Sequence, residues 1–186
     1  KVCTHMHLPL QSGDNDVLRR MGRGYTLEQY KELVSKLRTQ VPGIALTTDI
    51  LIGFPGETEE QFENTLNAVE TIQYDAAFMF AFSARPGTAA ARMDGHIDSV
   101  TKNRRLRQLI SLQNGITLER AKAAEGTVFE VLVEGTSAKD PNKLSGYTQT
   151  NKTVNFLGDQ SLIGKLVMVR AIKAHPWGFT GEIADL

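Results

Sequence analysis

Apolar positions along the chain follow one repeating pattern for about two-thirds of its length and then another. In the first stretch, residues 2–10, 44–54 and 76–82 are apolar-rich runs bounded by turn residues, which predicts strands. Between them the apolar positions fall at helical spacing: Leu27, Tyr30, Val34 and Leu37, then Phe62, Leu66, Val69 and Gln73, with Ile72 on the same face. Each helix opens on a capping box, Thr26-x-x-Gln29 and Thr58-x-x-Gln61, and Pro42-Gly43 stops the first. A shorter helical stretch (Val17, Leu18, Met21) follows the first strand. Such βαβα alternation predicts a parallel sheet with right-handed crossovers. Pro86-Gly87 opens a loop that runs to about Ser99. A long helix follows, with Leu106, Leu109, Ile110, Gln113 and Ile116 inside and Arg104, Arg105 and Arg107 largely outside. After Gly126 the helical spacing disappears. Residues 127–134, 152–156, 166–174 and 179–183 read as short strands separated by Gly, Ser, Asn and Asp turns, a small all-β module. The expected division is therefore residues 1–125 and residues 126–186.

Three parallel strands do not close a barrel, since an eight-stranded one needs about 250 residues. The chain also starts directly on a strand, so we expect the C-terminal part of a longer protein. No apolar run approaches the 18 or so residues that span a bilayer, and no charged-then-apolar leader opens the chain, so no membrane is expected. Formal net charge is zero. From Gly126 onward, Lys139, Lys143, Lys152, Lys165, Arg170 and Lys173 are balanced by Glu130, Glu134, Asp140, Asp159, Glu182 and Asp185. Only a local patch could therefore favour nucleic acid. The single cysteine, Cys3, excludes an internal disulfide and fits a reducing cytoplasm. One thiolate does not hold an iron–sulfur cluster, which takes about three or four, and Cys3 is expected to pack as a small apolar residue.

The candidate chemistry lies where strands end, because ligands in parallel α/β folds bind at the carboxyl ends of the strands. Gln11 stands at the end of the first strand, with Ser12-Gly13 turning the backbone. Its amide suits a ribose or carboxylate, or else caps the next helix. Arg23 lies between Gly22 and Gly24, where a guanidinium fork can approach a carboxylate closely; the alternative is a surface arginine in a turn. Asp49 interrupts Ala45-Leu46-Thr47-Thr48-Asp49-Ile50-Leu51-Ile52, a costly place for a charge unless it is paired. A carboxylate facing the barrel interior can accept two ribose hydroxyls; the alternative is an ion pair with a neighbouring strand. Gly53-Phe54-Pro55-Gly56 leaves room for a flat group such as adenine, or simply makes the turn. Arg85, in Ser83-Ala84-Arg85-Pro86-Gly87-Thr88, could meet a phosphate or carboxylate, or be a plain loop residue. His5 and His7 share a strand face. With no Cys, Asp or third His nearby in sequence, they read as packed or loop-bonded rather than metal ligands.

In order and spacing, His7-Leu8-Pro9-Leu10-Gln11-Ser12-Gly13, Met21-x-Arg23-x-Tyr25-Thr26, Thr48-Asp49-Ile50-Leu51-Ile52-Gly53-Phe54-Pro55-Gly56-Glu57-Thr58 and Arg85-Pro86-Gly87-Thr88 resemble the second half of a radical S-adenosylmethionine (SAM) barrel. The resemblance is to the MiaB-type tRNA methylthiotransferases. Gly146-x-Thr148-x-Thr150-Asn151-Lys152-x-Val154-Asn155-Phe156 resembles their appended TRAM domain, a small RNA-binding β-barrel. The resemblance implies an enzyme that uses SAM and two 4Fe-4S clusters to make a 5′-deoxyadenosyl radical. That enzyme methylthiolates isopentenyladenosine beside a tRNA anticodon. It further implies SAM contacts at Gln11, Ser12, Gly13, Arg23 and Asp49, with the adenine side along Leu51 and Gly53. Lys152 and Asn155, within the TRAM-like run, are the expected contacts to substrate RNA, an anticodon stem-loop, with Arg170 and Lys173 nearby as candidate phosphate contacts and Arg85 as a further candidate on the loop after the third strand. The family's Cys-x-x-x-Cys-x-x-Cys motif is absent here, so the cluster ligands would come from the N-terminal remainder of the same enzyme and this piece alone would be inactive. Tyr147 and Gln149 stand where relatives carry arginines. Two other readings fit the same motifs: a methylthiotransferase for another tRNA adenosine or a ribosomal protein, and a non-catalytic RNA-binding module.

Overall fold

The computed structural model describes residues 2–184; Asp185 and the final residue of the 126–186 module lie outside the described residues. The chain divides into two compact units, one formed by residues 6–116 and one by residues 117–184 with the segment before residue 6.

In the first unit the sheet order is β1 (His5–His7), β2 (Ala45–Ile52), β3 (Ala76–Ala81). β2 and β3 pair in parallel, with Asp49 opposite Phe78 and Leu51 opposite Phe80. β1 is much shorter than the run of residues 2–10. Pro9 has no N–H to give to a ladder, and the Leu10 N–H is taken by the Thr48 hydroxyl at 2.8 Å. Pairing resumes only at Gln11, as a single parallel bridge to Ile50. Cys3, expected to be packed, is exposed, because it lies ahead of the short strand rather than within it.

The helices α1 (Asn15–Arg20), α2 (Leu27–Gln40) and α3 (Glu59–Ile72) begin as their sequences dictate. Asp14 caps α1, and both capping boxes form: Thr26 with Gln29, and Thr58 with Gln61. Side chains on β2 alternate. Leu46, Thr48, Ile50 and Ile52 are buried, packing with Tyr30, Val34, Phe62, Val69, Ile72 and Tyr74, while Thr47, Asp49 and Leu51 on the other face are only partly covered. Gly13 is required where α3 meets the first turn. A Cβ there would stand 2.6 Å from the Asn64 carbonyl oxygen and 2.6 Å from the Thr65 Cα.

The long helix α4 (Ser99–Lys122) buries Leu109, Gln113 and Ile116 as its stripe predicts. Arg105, expected outside, is buried. It turns inward because two acidic partners wait there, described below.

The second unit is a closed barrel in the order β4-β5-β6-β8-β7: β4 (Val128–Ser137), β5 (Asp140–Thr148), β6 (Thr153–Leu157), β7 (Leu166–His175) and β8 (Gly178–Ile183). β5 was not expected as a strand. Asp-Pro-Asn and Ser-Gly read locally as turns, and only pairing with β4 on one side and β6 on the other makes the segment extended. β6 and β8 pair in parallel; the other ladders are antiparallel. Val131, Val133, Leu144, Val154, Phe156, Val169 and Phe179 fill the interior.

Candidate functional site

At the carboxyl end of β2 the structure gathers three residues singled out in the sequence. Gln11 adopts a left-handed backbone, φ +68°, uncommon for a residue other than glycine. In that conformation its N–H donates to the Asp49 carbonyl at 2.8 Å, and its carbonyl accepts from Leu51 N–H at 2.9 Å. Gln11 is thus pinned astride the two β2 residues whose side chains share the open face. Strained backbone held by its surroundings is a recurrent feature of ligand sites.

Asp49 is not buried. Its side chain is 33% exposed, and Oδ1 lies 3.4 Å from His7 Nε2 on β1. A carboxylate in this strand is affordable because it lies on the uncovered face of the sheet. Beyond it, Leu51, Phe80, Phe82, Ser83, Arg85 and Thr88 line a largely apolar hollow of about 450 Å³ at the ends of β2 and β3. Leu51 and Arg85 therefore line one hollow.

Other candidates have different surroundings. Ser12 is fully buried, its hydroxyl 3.4 Å from that of Thr65 and accepting from Asp14 N–H at 3.2 Å; with Gly13 it forms the seat of α3. Gly53 needs its φ of +72°, but its open side is filled, since a Cβ would fall 2.5 Å from the Lys102 side chain. Arg23 is exposed, on a loop tied to the exit of the first strand by Tyr25, whose hydroxyl donates to the Pro9 and Leu10 carbonyls at 3.2 and 3.0 Å. No hydrogen bond or ion pair joins Arg23 to Gln11 or Asp49 among the described residues.

Sequence reasoning missed what braces the turn after β2. Glu57 is buried, and its Oε2 accepts from Gly53 N–H at 2.7 Å and from Arg105 Nη1 at 2.8 Å. Arg105 also donates to the Glu57 carbonyl and, through Nε and Nη2, to Glu59, while its guanidinium lies 5.4 Å from the Phe62 ring centre. Arg104 makes a fork with Glu59, both bonds 2.8 Å. Burial pushes the Glu57 carboxyl above its ordinary range, against the Gly53 N–H and Arg105, which draw it down. The Arg104 hydrogen bonds, aided by Arg105, hold exposed Glu59 down at about 2. The arginine triplet of α4 was the only sequence signal for this brace.

Glu59 carries a pH prediction. A carboxyl held below its unfolded value near 4.5 contributes stability above that pH and loses it as the pH falls toward 2. Glu59→Gln should therefore flatten the loss of stability across that acid window. Glu57 acts in the opposite sense, its contribution full below the ordinary carboxyl range and declining as the pH rises above it. Unfolding midpoints measured from pH 2 to 6 in both proteins provide the check; an unchanged acid slope would remove Glu59 from the account.

On the barrel, inward Val154 and Phe156 leave Asn155 facing out. Asn155 lies opposite Thr180, and Thr180 opposite Lys173, so Asn155 and Lys173 share one row across β6, β8 and β7. Arg170 is opposite Glu182 and donates to the Gly126 carbonyl at 3.1 Å, which ties it down and offsets its charge. Lys152 immediately precedes β6.

An open parallel sheet whose candidate residues gather along β2, followed in the chain by a five-stranded closed barrel, is the architecture expected of a partial radical SAM barrel and its appended module. Comparison with known proteins agrees: residues 1–69 match the Radical SAM superfamily and residues 122–184 match the TRAM domain. Proteins named tRNA-2-methylthio-N(6)-dimethylallyladenosine synthase are similar along the whole chain. The one from Thermoanaerobacter sp. (strain X514) is 50% identical over 186 residues, all of this chain and 40% of that protein. Those from Moorella thermoacetica and Carboxydothermus hydrogenoformans are 53% and 52% identical, covering 100% and 98% of this chain and 42% of each relative. The chain belongs to the MiaB-type radical SAM methylthiotransferase family, and it spans about two-fifths of the length of these relatives.

Proposed function

We propose that this chain is the C-terminal part of a tRNA methylthiotransferase acting on an N6-dimethylallyl adenosine beside the anticodon. In that reading residues 1–125 supply one wall of the SAM site and residues 126–186 an RNA-binding barrel. The observation that carries the reading is the open face of β2, where Asp49 and Leu51 stand beside Gln11 and lead into the hollow lined by Arg85. The residues fit SAM. Asp49 would accept ribose hydroxyls, the backbone at Leu51 would lie along adenine, and Arg23 and Gln11 would meet the amino-acid end, while Gly53, its open side filled by Lys102, would only set the turn. Ser12 and Gly13 would act through their turn, which sets where Gln11 stands.

SAM bound in the complete enzyme would supply the radical that opens the adenine C–H bond. The residues of this chain would bind and orient it. They do not fit an iron–sulfur cluster: the only cysteine is Cys3, and the described residues hold no group of three His, Cys, Asp or Glu suited to a metal. Cluster ligands belong to the remainder of the enzyme in this proposal, and a tRNA substrate sets it in the cytoplasm. No helix among the described residues is long and apolar enough to cross a membrane.

Two measurements test the reading. In the full-length enzyme, Asp49→Asn and Arg23→Ala should each weaken SAM binding by about 1.5–3 kcal/mol, the usual loss for a charge-assisted hydrogen bond. Calorimetry on correctly folded variants decides it, and parent-like affinity in both would sink the SAM assignment. RNA contact should rest on Lys152, Asn155, Lys173 and, less, Arg170. Titration of an anticodon stem-loop across salt should then give a shallow slope, as expected for only about two to four phosphates neutralised. Lys152→Ala with Lys173→Ala should flatten it further; an unchanged slope would remove this face from the RNA interface.

A further inference from the structure

We infer that His7 is a positioning residue for Asp49, held in one tautomer by Thr47 so that its Nε2–H faces the carboxylate; this rests on the SAM-site reading above. Three strands build the arrangement. The alternation of β2 puts Thr47 and Asp49 on the same open face, two residues apart. β1 lies alongside, with Leu8 N–H donating to the Thr47 carbonyl at 2.8 Å, which fixes His7 next to both. His7 Nδ1 is 3.0 Å from Thr47 Oγ1, and its Nε2 is 3.4 Å from Asp49 Oδ1. From β3, Phe78, opposite Asp49 in the ladder, meets the His7 ring edge-on, with centres 5.9 Å apart and planes at 67°. The imidazole is thus gripped on two sides and presented to the carboxylate on the third.

The chemistry follows from the donors available. A threonine hydroxyl can donate to Nδ1, and a neutral imidazole that accepts there carries its proton on Nε2. That N–H faces Oδ1. A lone carboxylate on a sheet surface samples several χ2 orientations, whereas one restrained at Oδ1 presents Oδ2 to a ligand in a fixed direction. Restraint before binding lowers the ordering cost of the complex. His7 therefore acts on SAM through Asp49, not by contact.

Two experiments test this. In the full-length enzyme, His7→Ala should weaken SAM binding roughly 2- to 10-fold, a modest loss because His7 reaches SAM only through the ordering of Asp49. His7→Gln, whose amide N–H can take the Nε2 position, should restore affinity to within about 2-fold. In an Asp49→Asn background the alanine substitution should cost little more, because the two residues act as one unit. If Asp49→Asn weakens SAM binding while His7→Ala does not, or the two losses simply add, the inference about His7 is overturned and the site reading stands. If Asp49→Asn itself binds SAM like the parent, the site reading fails. The second experiment needs no SAM. Nitrogen-15 NMR of the imidazole in this chain should report the Nε2–H tautomer for His7, and Thr47→Val should shift the population toward Nδ1–H. An Nδ1–H tautomer in the parent would overturn the arrangement outright.

Discussion

Arg105→Ala should destabilise the first unit by about 3–5 kcal/mol, the usual result of removing one member of a buried ion pair. The side chain of Arg105 is 5% exposed and that of Glu57 0%, so the alanine leaves a carboxylate in the interior with only Gly53 N–H to satisfy it. It also removes one of the two arginines that hold Glu59, leaving the Arg104 fork, and uncovers the Phe62 ring. The loss is one of an unpaired charge rather than of a favourable contact. Arg105→Met combined with Glu57→Gln should therefore recover most of it, since the glutamine carbonyl still accepts from Gly53. Denaturant unfolding followed by circular dichroism compares the parent, the single and the double variant. A single-variant loss below about 1 kcal/mol would mean that the pair does not fasten the turn after β2.

Phe156→Ala should cost a similar amount, about 3–5 kcal/mol, by leaving a cavity in the barrel. Phe156 is fully buried among Leu144, Val154 and Phe179, on the strand joined to β5 on one side and β8 on the other. A loss of this size rivals the whole stability of a module of some sixty residues, so the barrel should unfold. Stem-loop binding should then disappear. Asn155→Ala, one position away and facing out, should leave stability within about 0.5 kcal/mol while lowering RNA affinity. Unfolding curves and RNA titrations on both variants separate the two effects. If Phe156→Ala folds and binds like the parent, RNA contact does not depend on the barrel.

Local sequence signals suffice where a local interaction forms the element. Thr26 with Gln29 and Thr58 with Gln61 close capping boxes inside single turns, so a short window of sequence contains both partners. The alternation along Ala45–Ile52 likewise separates a packed face from another face within one strand. Segment 140–148 was not legible. Its Asp, Pro, Asn, Ser and Gly have no intrinsic preference for extension, and neighbours on both sides impose it. The site divides in the same way. Gln11 and Arg85 could be named from their places at strand ends and Asp49 as a charge inside an apolar run, whereas Leu51 came only with the family resemblance. That Gln11 takes a left-handed backbone and bonds on both sides of Ile50 was not visible, because nearly forty residues lie between the partners.

The sequence by itself determined where the capped helices α2 and α3 start, the change from alternating strands and helices to an all-β module, and the family to which the motifs belong. These depend on periodicity, caps and contiguous motifs, which a linear string carries in full. The tertiary structure decided the charges. Asp49 stands in an apolar strand yet is partly exposed, because one face of its sheet is uncovered. Arg105 sits in a row of polar positions yet is buried, because Glu57 and Glu59 meet it from a turn forty-six and more residues away. Whether a charge is solvated or paired depends on what the fold brings beside it, and no local pattern encodes that.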